Sequence, residues 1–169
     1  SLELEDLIEG ILNPFILVLD GIMDPRNLGA IIRSGECAGA TGILLPKHRS
    51  VRITPTVAKT AQGAIEHIPI ATASGIPKAI SKLKELGIWT VGMDISAQTD
   101  IYDIKVATGP IALVLGSEGK GLGRLARERC DVIAGIPLHG ITESLNVSAA
   151  SAIGCFEIAR QRRSIAEHD

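Results

Sequence analysis

Short apolar runs alternate with polar stretches of helical spacing along most of the chain. The runs FILVL (residues 15–19) and IALVL (residues 111–115) are continuous, as in strands that are covered on both faces, and similar runs occupy residues 42–45, 89–93 and 132–136. Residues 28–38 and 76–86 instead place apolar side chains at helical spacing. This alternation predicts an α/β domain with a mainly parallel sheet and helices on both faces.

The remaining segments give weaker signals. Residues 65–71 contain Pro69, which predicts a short or edge strand, and residues 122–129 are typical of a charged helix. A weak helix is expected through Val57 and Ala61. Residues 1–12 are acidic and lightly apolar, so we interpret them as the end of a linker or as a short leading helix.

Composition excludes several classes of protein. The chain has 169 residues, of which 46% are hydrophobic and 21% charged, so it is long and apolar enough for one folded domain. No apolar run approaches the roughly 20 residues of a membrane span. The formal net charge of −2 argues against binding nucleic acid through bulk charge alone. The chain begins with Ser1 and shows no signal peptide, which suggests a piece of a longer protein.

The cysteines and histidines suggest neither disulfides nor metal binding. Cys37, Cys130 and Cys155 lie far apart, which is typical of unpaired, buried thiols in a reducing compartment, so we expect a cytoplasmic protein. The histidines show no ligand spacing with cysteines or acidic residues, and we expect no metal site.

Three polar loops follow predicted strands, and in parallel sheets ligands bind beyond the carboxyl ends of the strands. Residues 20–34 contain Asn27 and Arg33, residues 116–121 contain Glu118, and residues 137–146 contain Ser144 and Asn146. Each side chain also has an ordinary structural explanation. Asn27, Ser144, Asn146 and Glu118 suit the start of a helix, and Arg33 suits a solvated surface.

The glycine-rich segment GSEGKG, residues 116–121, resembles a phosphate-binding loop only superficially. A P-loop has four residues between its first glycine and the Gly-Lys pair, and a Ser or Thr after the lysine. Here two residues separate Gly116 from Gly119, and Gly121 follows Lys120. The dinucleotide pattern G-x-G-x-x-G is also absent.

Taken together and in order, three segments resemble the motifs of the SpoU (TrmH-like) RNA ribose 2′-O-methyltransferases of the SPOUT superfamily. The segments are DPRNLGAIIRSGECAGATG (residues 24–42), LVLGSEGKGL (residues 113–122) and IPLHGITESLNVSAASAI (residues 136–153). The resemblance covers roughly residues 15–160, and three long motifs in order are far more specific than a single glycine pattern.

The resemblance implies a fold, a cofactor and partners. The C-terminal part would be threaded through a loop to form a deep trefoil knot, a rare exception to unknotted topology. S-adenosylmethionine would be the cofactor, with RNA as substrate. The chain would act as a homodimer in which the partner supplies an arginine, with no role for a metal or a membrane. The positions that match cofactor contacts in the family are Leu115, Gly116, Ile136, Leu138 and Leu145.

The family's catalytic and substrate positions correspond to Asn27, Arg33, Glu118, Ser144 and Asn146. A ribose hydroxyl loses its proton as it attacks, so the site must stabilise a developing alkoxide. Because a free arginine stays protonated at neutral pH, we favour Arg33 as a stabilising cation, although a role as base is also discussed for the family. Asn27 and Glu118 would hold that arginine and its loop, and Ser144 and Asn146 would position ribose or cofactor.

The resemblance leads to a specific functional hypothesis. Residues 13–169 would form a catalytic domain that methylates a ribose 2′-hydroxyl in ribosomal RNA, with 23S rRNA the first candidate, or in tRNA. The N-terminal RNA-binding domain of many relatives would be absent. The alternatives are a catalytically silent RNA-binding or assembly module of the same fold, and a nucleotide-binding protein that uses GSEGKG. The candidates for phosphate contact are Arg26, Lys47, Arg49, Arg52, Lys59 and Lys120, and each of them equally suits a solvated surface position.

Overall fold

The computed structural model describes residues 2–48 and 52–168, with side chains through Ser164. The candidate phosphate contact Arg49 lies outside the described residues. Within these ranges a single sheet of seven strands has the order β3-β2-β1-β6-β4-β7-β5, and every strand pair is parallel. The strands are β1 (Phe15–Leu19), β2 (Gly42–Pro46), β3 (Ile70–Ala73), β4 (Trp89–Met93), β5 (Thr99–Asp100), β6 (Ile111–Leu115) and β7 (Val132–Gly135).

Helices cover both faces of the sheet, which confirms the predicted α/β architecture. They are α1 (Pro25–Cys37), α2 (Pro55–Ala61), α3 (Ile76–Glu85), α4 (Arg124–Arg129) and α5 (Val147–His168). Alternate side chains of β1 divide between two cores. Phe15 and Leu17 pack with residues of α1, α2 and α5, whereas Ile16 and Val18 pack with residues of α3 and α4.

The weaker predictions needed adjustment. Residues 1–12 contain a short 3-10 helix, Leu4–Leu7, whose Leu7 is fully buried against the sheet. The strand near Pro69 does lie at the sheet edge, but it begins after the proline, because proline cannot donate to the neighbouring strand. The two-residue strand β5 lies within a polar segment whose sequence predicts no strand, since a strand so short leaves no periodic pattern.

Arg162 attaches α5 to the amino-terminal edge of the sheet. Its guanidinium donates to the carbonyl oxygens of Ala107 over 2.8 Å and Gly109 over 2.7 Å, and it lies 5.5 Å from the centroid of the Phe15 ring. Burial lowers the pKa of this group, and the carbonyl acceptors compensate for part of its lost hydration. The attachment holds the far end of α5 in place, so that the helix start lies at the opposite, carboxyl edge of the sheet.

Strand β7 lies between β4 and β5, although these two strands are consecutive along the chain. Residues 94–98 alone connect them, so this short connection passes directly over the end of β7. Gly135 allows the crossing: a Cβ atom at this position would lie 2.7 Å from the carbonyl oxygen of Asp94. In the part of the chain that the structure describes, none of the helices combines the length and the apolar composition of a membrane-spanning segment.

We predict that Gly135→Ala destabilises the fold by about 1–3 kcal/mol, the usual cost of forcing an extra methyl group into a closely packed position. The backbone of Asp94, unlike a flexible side chain, cannot move aside without disturbing β4. Gly109→Ala is the matched control, because a Cβ there would meet no atom within 4 Å. Urea unfolding of both variants tests the prediction. Equal midpoints would show that the 94–98 connection accommodates the added methyl group without a loss of stability.

Candidate functional site

The site lies where the chain leaves two neighbouring strands in opposite directions. From β1 the chain turns towards β2, whereas from β6 it turns towards β7, on the other side of the sheet. Such a divergence opens a crevice at the carboxyl ends of the strands. A cavity of about 750 Å³ occupies this edge, and the loops after β1, β4, β6 and β7 line it together with the start of α5.

Glu118 connects the loop after β6 to the loop after β1. Its carboxylate accepts hydrogen bonds from the backbone N–H groups of Met23 over 3.4 Å and Asp24 over 3.2 Å, and from Asn27 Nδ2 over 3.2 Å. Burial alone would raise the pKa of this carboxyl, but the hydrogen bonds from Asn27 and the backbone oppose it, so the pKa lies below its ordinary value. Glu118 is therefore an ionised acceptor at neutral pH.

Asn146 extends this arrangement to the third loop. Its Nδ2 donates to Asn27 Oδ1 over 3.2 Å, so Asn146, Asn27 and Glu118 form a continuous chain of hydrogen bonds. Asn146 Oδ1 accepts the backbone N–H of Ser148 over 2.8 Å, and thus caps the start of α5. The three predicted loops therefore converge through side chains that lie up to 119 positions apart in sequence.

Asn27 does not cap α1, contrary to the structural explanation considered from the sequence. Asp24 takes that position, and its side chain accepts from the backbone N–H groups of Arg26 and Asn27. Pro25 follows at the first helical residue, where a missing N–H has no cost. Because the cap is already supplied, the amide of Asn27 is free to bond Glu118 and Asn146.

The positions proposed for cofactor contact all line the cavity: Leu115, Gly116, Ile136, Leu138 and Leu145. Gly116 is required here for a physical reason. A Cβ atom on this residue would lie 2.1 Å from the carbonyl carbon and oxygen of Gly121, so the loop closes onto itself only around a glycine. Ser144 also lines the cavity, next to Leu145.

Arg33 does not lie with the other candidate residues of the same chain. Its side chain is exposed on α1, it is absent from the cavity wall, and it forms no hydrogen bond or ion pair with the described residues. Within one chain, Asn27 and Glu118 therefore do not hold this arginine. Six residues rotate a helix by about 240°, which directs the side chains of Asn27 and Arg33 away from each other.

Asp94, which was not among the predicted site residues, lines the cavity from the loop after β4. One carboxylate oxygen pairs with Arg127 of α4 over 2.9 Å, and the other accepts from the backbone and hydroxyl of Ser96. Asp94 follows a predicted strand directly, so the rule that selected the other three loops would have found it. The carboxylates of Asp24, Asp94 and Glu118 outnumber the one lysine of the wall, Lys120.

The cysteines provide no reactive thiol inside the fold. Burial raises the pKa of Cys130 and of Cys155 to about 12, so both remain thiols at neutral pH. Cys37 is exposed at the end of α1 and Cys130 is only partly buried, which corrects the expectation that all the cysteines are buried. In the described part of the chain, no group of three or more His, Cys, Asp or Glu residues could hold a metal ion.

An all-parallel sheet covered by helices, with a ligand-sized cavity where neighbouring strands diverge, defines an α/β protein with a candidate small-molecule site. Residues 14–156 match the SpoU rRNA Methylase family, and the chain belongs to this family. The chain is 47% identical over 165 residues to the 23S rRNA (guanosine-2′-O-)-methyltransferase RlmB of Ralstonia nicotianae, covering 96% of this chain and 65% of that protein.

A second sequence relative and a solved structure are also similar to this chain. RlmB of Photobacterium profundum is 44% identical over 161 residues, covering 95% of this chain and 65% of that protein. The crystal structure of the SpoU methyltransferase AviRb from Streptomyces viridochromogenes, in complex with AdoMet, has a TM-score of 0.87 at 27% identity, covering 97% of this chain and 63% of that one. This chain thus spans less than two thirds of the length of these relatives.

We predict that Glu118→Gln destabilises the protein in a pH-dependent way. Because the folded-state pKa is lowered, the carboxylate contributes stability above its ordinary pKa of 4.5, and that contribution is lost as pH falls through the lower folded value. The unfolding midpoints of wild type and variant should therefore differ at pH 7 and converge in acid. Glu85→Gln, on the exposed side of α3, is the control. A gap that stays constant with pH would show that the charge is not responsible.

Proposed function

We propose that this domain, residues 13–169, transfers a methyl group from S-adenosylmethionine to a ribose 2′-hydroxyl in RNA, with 23S rRNA the first candidate and tRNA the second. The observation that carries the proposal is the chain of hydrogen bonds that joins the three family motifs around one cavity. The cavity wall suits the cofactor. Its apolar side chains can pack against a flat base, and its carboxylates outnumber its one lysine, which suits a positively charged sulfur.

The proposed chemistry assigns limited roles to the chain's own residues. When bound, the cofactor would supply a methyl group on cationic sulfur for transfer to the ribose oxygen, and the electron pair of the broken carbon–sulfur bond would stay on sulfur. Leu115, Gly116, Ile136, Leu138 and Leu145 form the binding surface. Asn146 and Ser144 orient the ribose, while Asn27 and Glu118 hold the loops in place. The hydroxyl proton passes to water.

In this proposal Arg33 acts on the site of a second copy of the chain. Its exposed guanidinium, distant from its own cavity, would stabilise the developing alkoxide and nearby phosphate of the partner. The functional unit is therefore a homodimer, which we place in the cytoplasm with its RNA. The proposal includes a C-terminal trefoil knot. The short 94–98 connection that passes over β7, from which the chain continues into α5, supports such threading.

We predict that the protein binds S-adenosylhomocysteine, the reaction product, and that Gly116→Ala abolishes the binding. The added Cβ would displace Gly121 and open the loop that lines the cavity. Isothermal titration calorimetry measures both, with circular dichroism to verify folding. Gly109→Ala, a glycine far from the cavity, should bind as wild type does. Absence of binding by wild type at millimolar ligand, with RNA binding retained, would instead favour the silent RNA-binding module.

A subunit-mixing experiment tests Arg33. Arg33→Ala and Asn146→Ala should each abolish methyl transfer to RNA. The Arg33→Ala variant should still bind S-adenosylhomocysteine with an affinity close to that of wild type. If the arginine acts across the interface, refolding the two variants together creates dimers with one intact site. Random pairing then restores about a quarter of wild-type activity. If Arg33 serves its own cavity, every mixed dimer lacks a complete site and no activity returns.

A further inference from the structure

Ser148 lies in α5 and contacts the chain of hydrogen bonds formed by Asn146, Asn27 and Glu118, and no role has yet been assigned to its hydroxyl. It is the second residue of α5, two positions after Asn146. Its backbone N–H donates to Asn146 Oδ1 over 2.8 Å, and its hydroxyl also meets Asn146 Oδ1 at hydrogen-bond distance. Two groups of one residue therefore converge on a single oxygen of the side chain that connects the third loop to Asn27.

The donor and acceptor groups of Ser148 fix the direction of each hydrogen bond from Asn146 through Asn27 to Glu118. A backbone N–H can only donate, so the Asn146 atom facing it is the amide oxygen. Because that oxygen cannot donate, the Ser148 hydroxyl must be the donor in the second contact. Asn146 consequently presents its nitrogen to Asn27, and Asn27 presents its own nitrogen to Glu118, the ionised acceptor at the end.

Counting donors and acceptors shows what Asn146 can still offer. An amide oxygen has two acceptor sites, and Ser148 occupies both. The amide nitrogen has two hydrogens, of which one bonds Asn27 Oδ1, and the second meets no acceptor among the described residues. Asn146 lines the cavity, so the group it can offer to a ligand there is a hydrogen-bond donor.

We propose that Ser148 is a positioning residue that makes Asn146 a donor-only group towards the substrate oxygen. The inference rests on the proposed function. A donor-only amide favours an oxygen that is losing its proton over a neutral hydroxyl, because the alkoxide has lone pairs and no hydrogen to share. With one acceptor site free, Asn146 would also accept a hydrogen bond from the unreacted hydroxyl, and so stabilise the ground state.

The kinetic test compares Ser148→Ala with Ser148→Thr in the complete gene product, using unmodified 23S rRNA and tRNA transcripts as substrates. Ser148→Ala should lower kcat about tenfold, because the freed acceptor site of Asn146 adds one hydrogen bond to the unreacted hydroxyl, while the dissociation constant of S-adenosylhomocysteine stays within about twofold. Ser148→Thr keeps the hydroxyl and should recover most of kcat. Ser164→Ala makes the same chemical change at an exposed position of α5 and should have wild-type kinetics.

A second measurement does not depend on activity. The side-chain carbonyl carbon of Asn146, observed by 13C NMR, should shift in Ser148→Ala because its oxygen loses one donor. It should remain near wild type in Ser148→Thr and Ser164→Ala. An unchanged resonance in Ser148→Ala, or an unchanged kcat alongside an active wild type, would overturn the role of Ser148. So would a loss of kcat that merely follows a loss of cofactor affinity or of folding stability.

The two measurements separate this inference from the proposed function. If wild type binds no S-adenosylhomocysteine and methylates neither RNA, the proposed function fails, and with it the role of Asn146 towards a substrate oxygen. If wild type is active but either the Asn146 resonance or kcat fails to respond to Ser148→Ala, the proposed function stands and the positioning role is wrong.

Discussion

The site depends on one carboxylate. Glu118 receives hydrogen bonds from two backbone N–H groups at the start of α1 and from the side chain of Asn27. These donors more than offset the partial burial of the carboxylate, so its pKa lies below the ordinary value and the group stays ionised. The interaction joins the loop after β6 to the loop after β1. It thereby holds together two of the loops that line the cavity.

The parallel sheet makes that interaction possible. It brings the carboxyl ends of β1, β4, β6 and β7 to a single edge, although long segments of chain separate them. Helix α5 is held near both ends. Arg162 attaches it at the amino-terminal edge of the sheet, and at the carboxyl edge Asn146 caps its start and donates a side-chain hydrogen bond to Asn27. Fixing both ends limits how far the third motif can move relative to the first two, as a preorganised site requires.

Much of the architecture was predictable because burial requires apolar residues at regular spacing along each strand and helix. Strands β1 and β6 are continuous apolar runs, and α3 has a regular apolar face, so their existence and type follow from spacing alone. The cap of α1 was misassigned because Asp24 and Asn27 are both good capping residues, and Pro25 between them was the signal that favoured Asp24. Strand β5 was missed because two residues carry no periodicity.

By itself, the sequence determined the class of fold, the order of the motifs and the loops that could bear chemistry, because periodicity and residue type are local properties. Only the tertiary structure decided which polar groups bond to one another. It brought Asn146 to Asn27 across 119 positions, added Asp94 to the cavity wall and left Arg33 on the exposed side of α1. The physical reason is that partners distant in sequence are selected by how the strands are ordered and where the loops cross, which no local pattern encodes.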